Sequence, residues 1–325
     1  MKPYLSIIVT GRNDDYGLRF KYRLKLFFKS LLNQLDNWSI SAEIIVVEWN
    51  PPRARENISS VLKKWFAFTP VPIRVIEVSP RQHRNFVNSD RIPLFEYIAK
   101  NTGVRRAKGE YILVTNPDIL FPGKLIQFIA NRQLEKNTFY RIDRIDYKLP
   151  SGFNSANITE QFKLAKRFAF SLHTLGCGIR LRTSLPFPIR MQLGYINAVL
   201  MRRLIRKQGK LIDRVHANVA GDFMLMHRTQ WNKLRGFPEK PTNTYMDCYL
   251  CFSVAAIGLR QYIFPSSFSL FHLEHTRPTT KRPKISVSQL VNDYRQILNH
   301  DQSPILNNSN WGLSSQKLHE VRIAK

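Results

Sequence analysis

The sequence predicts an α/β protein with a mainly parallel central sheet flanked by helices. Three observations carry this. Residues 111–114 form an apolar run stopped abruptly by Thr115-Asn116-Pro117-Asp118, as in a strand buried on both faces of a parallel sheet. Strand-like and helix-like stretches alternate through the first half, the rhythm of right-handed β-α-β crossovers. A chain of 325 residues, 43% hydrophobic and 12% aromatic, can bury a large core as one elaborated domain or two small ones.

The elements follow in order. Residues 5–10 (Leu-Ser-Ile-Ile-Val-Thr) are a β-rich run that ends in the polar loop Gly11-Arg12-Asn13-Asp14-Asp15. Residues 22–35 carry Leu24, Phe27, Phe28, Leu31, Leu32 and Leu35 at helical spacing. Residues 43–48 read as a second strand, closed by Trp49-Asn50-Pro51-Pro52; 58–66 read as a helix and 73–78 as a third strand. Residues 93–107 read as a helix with Pro93 in its first turn, before the fourth strand at 111–115. A strand is expected at 139–146, and Leu149-Pro150-Ser151-Gly152 then breaks the pattern. Further on, strands are expected at 223–226, 261–264 and 268–271, and helices at 229–234 and 247–257, closed by Gly236 and Gly258. From 278 the chain is polar and weakly patterned, which predicts a loosely attached C-terminal tail over 278–325.

Charge divides the chain. Fifty Lys and Arg stand against 23 Asp and Glu, a net +27. Such a balance attracts polyanions: nucleic acid, anionic lipid or phosphorylated substrates. Residues 161–212 hold eleven Lys/Arg and no acid, within a predicted basic, partly amphipathic helical insertion over 150–215. Ile189, Leu193, Ile196, Leu200 and Leu204 share one helical face, with Arg202, Arg203, Arg206 and Lys207 crowding its end. That pattern fits an anionic membrane surface; a core-facing helix with a solvated basic rim fits it too. Three cysteines make no disulfide framework, and Cys248 and Cys251 read as core thiols in a reducing compartment rather than a zinc pair. No signal peptide and no spanning helix are expected, so the predicted location is cytoplasmic, with any membrane contact peripheral at the inner face.

Pro117 cannot continue a central strand. Asn116 and Asp118 therefore fall at the carboxyl end of a strand, where open α/β sheets bind ligands. A carboxylate there is a natural ligand for a hard cation, and the cation can hold a diphosphate. A competing reading makes Asp118 the cap of a helix starting near Pro122. At the start of a predicted helix, Asp247 likewise reads as a helix cap.

Four blocks together resemble a family-2-type glycosyltransferase with the GT-A fold, over roughly residues 5–275 of a domain spanning 1–277. They are Leu-Ser-Ile-Ile-Val-Thr-Gly-Arg-Asn13; Glu43-Ile-Ile-Val-Val-Glu48; the stretch from Asn101 to Asp118; and the group Gly221-Asp222, Gly-Phe-Pro-Glu239, Asp247 and His272-Leu-Glu-His275. The resemblance implies an inverting transfer of a sugar from a nucleotide sugar, with a UDP-sugar favoured, to a glycan or lipid-linked acceptor. It places Thr10, Arg12 and Asn13 on the nucleotide base, Glu48 on the uracil or ribose, Asn101 in the same cleft, and Arg105 on the diphosphate. Asp118 becomes the main carboxylate for a Mn or Mg ion, completed by His275 or His272. Asn116 stands where the family's Asp-x-Asp motif has its first Asp, and so brings no charge. Asp247 becomes the general base, and Asp222 and Glu239 face the acceptor.

Other classes compete. A nucleotidyltransferase shares this kind of sheet and metal site, but Gly11-Arg12-Asn13 is too short for its glycine-rich loop. A non-catalytic GT-A module fits the altered metal motif. A nucleic-acid-binding protein fits the charge, but the chain has no Cys/His finger, no RNP-like aromatic strand and no compact basic helix-turn-helix; no nucleic acid is expected as a partner.

Overall fold

The computed structural model describes residues 2–150, 158–207, 215–217, 219–276 and 283–323. It is an α/β structure with two sheets. In chain order the elements are β1 (Leu5–Gly11), α1 (Phe20–Asn37), β2 (Ala42–Trp49), α2 (Ile58–Phe66), β3 (Ile73–Val78), α3 (Pro80–His83), α4 (Glu96–Arg106), β4 (Tyr111–Thr115), β5 (Ile119–Leu120) and α5 (Gly123–Ala130). They continue with β6 (Thr138–Arg141), β7 (Arg144–Tyr147), α6 (Ile158–Arg167), β8 (Ala169–Thr174), β9 (Cys177–Arg180), α7 (Phe187–Lys207), β10 (Phe223–His227) and α8 (Arg228–Leu234). The last are α9 (Met246–Ala256), β11 (Arg260–Ile263), β12 (Leu270–Leu273), α10 (Val287–Leu298) and β13 (His319–Arg322).

The larger sheet runs β11-β6-β10-β4-β1-β2-β3-β13. Its heart, β3-β2-β1-β4, is parallel, but β10 and β13 pair antiparallel. The sheet is thus mixed rather than mainly parallel. Strand direction here depends on which distant strand each segment finds, which local pattern does not encode. The four parallel strands are buried on both faces. Ile7 and Val9 meet Phe27, Phe28 and Leu31 of α1 on one side. Ile8, Val47 and Val114 meet α4, α8 and α9 on the other. Gly103 lets α4 lie close on β1, since a Cβ there would sit 2.5 Å from Ile8 Cγ2.

The expected strand at 139–146 is two strands in different sheets, β6 and β7, divided at Ile142-Asp143. β7 belongs to a smaller sheet ordered β5-β12-β7-β8-β9. The predicted helical insertion also holds β-structure: β8 and β9 form a hairpin, with φ of 51° at Leu175 and 79° at Gly176. Two successive positive φ values make the tight turn whose twist suits a hairpin. α7 packs on that hairpin.

The C-terminal region is not a loose tail. Leu290 and Ile297 of α10, Trp311 and Leu313 are buried in the core on the α9 side. β13 closes the sheet edge against β3. Arg106 of α4 donates to the carbonyls of Gly312, Leu313 and Gln316, clamping this region onto the helix.

A candidate metal and anion site at the sheet switch point

β1 has β2 on one side and β4 on the other, and the connections leave in opposite directions from this point. The crevice at the carboxyl ends of two such strands is where open α/β sheets take ligands. A cavity of about 290 Å³ lies there, lined by Thr10, Gly11 and Arg12 after β1 and by Asn116, Pro117 and Asp118 after β4. Arg23, Glu96, Arg144, Asp222, His272 and His275 complete much of its wall.

The small sheet brings the site together. Asp118 immediately precedes β5, and β5 pairs with β12. The Asp118 carbonyl accepts from the Leu273 amide at 3.0 Å. His272 of β12 stands in register with Asp146 of β7. His275 lies past the end of β12, so the opposite-face rule for a strand does not separate it from His272. Both imidazoles reach Asp118: Nε2 of His272 is 3.9 Å and Nε2 of His275 is 3.4 Å from its Oδ2. One ligand atom from each of Asp118, His272 and His275 lies within 4.8 Å of the others. Gly17, with φ of 72°, lets the chain cross His275, where a Cβ would fall 2.3 Å from Nδ1.

A second layer holds these groups. Asp146 binds Nδ1 of His272 at 2.9 Å and Nε2 of His173 at 2.8 Å. Arg144 is ion-paired to Asp146 at 2.9 Å and to Asp222 at 2.6 Å. Asn116 donates to Asp222 at 2.7 Å. Burial opposes the Asp118 carboxylate, yet His272, His275 and Arg23 outweigh it and hold its pKa at about 2. Burial likewise opposes the His272 imidazolium, but Asp118 and Asp146 raise its pKa above the usual value. Asp222 is pushed up by burial and pulled further down by Arg144 and His272, so its net shift is downward.

The helix-cap reading of Asp118 is excluded, because Pro122 caps α5. Thr10, Arg12, Asn116, Asp118, Asp222 and His275 all line the cavity. Six other predicted residues do not, Asp247 among them. Asn13 turns away and donates to the Glu56 carbonyl at 2.6 Å. Glu48 is fully buried, with both oxygens accepting from the Ile58 amide at the start of α2; burial raises its pKa to about 7. Asn101 pairs with both the amide and the carbonyl of Phe237 at 2.8 Å. Glu239 accepts from Asn101 and the Gly312 amide. Arg105 stacks over Trp311, 5.0 Å from its ring centre.

Asp247 stands behind the cavity wall. It is the second residue of α9, whose cap is Tyr245, and its Oδ2 accepts from the Gly221 amide at 2.8 Å. Burial raises its pKa, against the pull of Gly221 and Lys100. Lys100 joins it to the cavity, binding the Gly221 carbonyl at 3.0 Å and Glu96 at 2.6 Å.

Sequence reasoning missed Arg23, Glu96, Arg144 and Asp146. For the last two a signal existed: they alternate with Ile145 and Tyr147 along a strand, which puts two charges on one face. Cys248 and Cys251 are free thiols, as expected.

The chain matches no protein-family model and no curated protein.

Proposed function

We propose that this chain is a GT-A-type glycosyltransferase moving a sugar, with inversion, from a nucleotide-sugar donor to a hydroxyl of a glycan or lipid-linked acceptor. One observation carries the proposal: Asp118, His272 and His275 converge in a cavity at the switch point between β1 and β4. The four sequence blocks that resemble that family flank the same crevice or brace its walls.

The donor set fits a divalent cation. Asp118 Oδ1 is buried and has no hydrogen-bond partner. Asp146 orients His272 from behind, as carboxylates do behind metal-bound imidazoles. One carboxylate with two imidazoles suits Mn better than Mg, which favours an all-oxygen shell. When bound, such a cation offsets the negative charge of a departing diphosphate.

The protein's own groups do the rest. Thr10 and Arg12, at the end of β1, face the nucleoside part of the donor. Arg23, 3.8 Å from Asp118, adds positive charge beside the phosphates. Asn116 and Arg144 fix Asp222 at the sugar end. The acceptor proton passes to a carboxylate of the Glu96–Lys100–Asp247 cluster. Asp247 is the carboxylate the family resemblance points to, although it stands behind the wall, whereas Glu96 lines the cavity itself. Replacing Asp247 with Asn and Glu96 with Gln, one at a time, separates the two carboxylates: the base variant keeps UDP binding and loses transfer.

A thermal-shift panel of UDP-, GDP- and dTDP-sugars, each with and without Mn, tests the class. The expected result is a rise of about 5 °C with one nucleotide and Mn together, at ligand a hundredfold above its Kd. No shift with any nucleotide sugar in the presence of Mn would contradict the proposal.

A further inference from the structure

α7 has two opposed faces. Met191, Gly194 and Ala198 point toward the small sheet and are buried. A Cβ on Gly194 would come 2.8 Å from Leu181 Cδ2, so the helix backbone sits directly on its support. The opposite face carries Ile189, Leu193, Ile196, Leu200 and Leu204, which are 48, 37, 50, 52 and 56% exposed. They follow helical spacing over about 22 Å. Large apolar side chains in one exposed stripe mark an interaction surface.

The surroundings say what covers it. Residues 161–212 hold eleven Lys/Arg and no Asp or Glu. Of these, Lys163, Lys166, Arg167, Arg180, Arg182 and Arg203 are exposed; the side chains of Arg206 and Lys207 lie outside the described set. Beside the stripe, Ile196 borders an apolar groove of about 900 Å³ that includes Phe162, Phe187 and Phe271, with Lys124 and Lys166 on its wall. A second copy of the chain brings the same positive charge to its partner, which opposes self-association. No helix among the described residues is long and apolar enough to cross a membrane. An apolar stripe with a basic surround and no acids matches a helix lying in the plane of an anionic bilayer.

We infer that α7 docks the protein on anionic lipid, with its outer stripe among the acyl chains and the flanking Lys and Arg among the head groups. The inference stands apart from the catalytic proposal, and its test reads lipid binding alone. Flotation of the full chain with phosphatidylcholine vesicles, with and without phosphatidylglycerol, is the experiment. Binding is expected only with phosphatidylglycerol and is expected to fall with salt. Replacing exposed Arg180, Arg182 or Arg203 by Gln should weaken it about fivefold each. Leu193→Glu with Leu200→Glu should abolish flotation and leave the melting temperature unchanged. Equal flotation of the double variant, equal binding to neutral vesicles, or no binding at all would overturn the inference. So would a wild-type dimer that this variant dissociates, without lipid binding.

Discussion

Asp118 is the residue on which the site turns. Its position was readable because a proline two residues after a buried strand forces the chain out of the sheet. Its partners were partly readable: the histidine pair was visible, and both imidazoles reach Asp118 because β12 ends at Leu273. Asp118→Ala should abolish Mn binding and sugar transfer together; intact transfer would remove Asp118 from the chemistry. Asp146→Asn keeps all three ligands and should weaken Mn about 10- to 100-fold, read by calorimetry, because His272 loses its orienting carboxylate. Glu48 shows what a sequence hides. It ends a strand where donors often bind, but the alternation that buries Ile44 and Val46 puts Glu48 on their face, under α2. Its pKa rises from 4.5 to about 7, so the folded state binds the extra proton between those values. Stability should therefore decrease as pH rises from 4.5 to 7, by about 3 kcal/mol from this group. Glu48→Gln should flatten that slope in urea denaturation followed across pH; an unchanged slope would contradict it.

At the scale of elements, several residues expected at the site instead hold elements together. Asn101 uses its amide as a short strand would, pairing with the Phe237 amide and carbonyl and also with Glu239. That ties α4 to the turn after α8. Asn101→Ala should cost about 3 kcal/mol in urea unfolding, since it leaves buried polar groups unpaired; a loss below about 1 kcal/mol would contradict the tie. An asparagine before a predicted strand looks the same in sequence whether it meets a ligand or a turn. The β8–β9 hairpin was hidden for a different reason. Its turn is Leu175-Gly176, where the usual signal is Asn-Gly or Asp-Gly, and the basic composition around it looked uniform.

For the whole molecule, the α/β class and the positions of the first four strands were legible, because parallel strands buried on both faces leave a continuous apolar mark. The attachment of the C-terminal region was not. Its anchors, Leu290, Ile297, Trp311 and Leu313, are spaced widely among polar residues. A chain ending before α10 should fail to fold, seen as loss of a cooperative thermal transition, because Trp311 and its neighbours fill the core beside α9. Retention of a full transition would contradict that role. We propose that the switch point between β1 and β4 holds a divalent cation that engages a nucleotide diphosphate. A titration of Mn into the full chain, followed by electron paramagnetic resonance with and without UDP and repeated with Asp118→Ala, tests it most directly. One Mn should bind, tightened by UDP, and none should bind the variant. Equal Mn binding by the variant, or no effect of UDP, would contradict it.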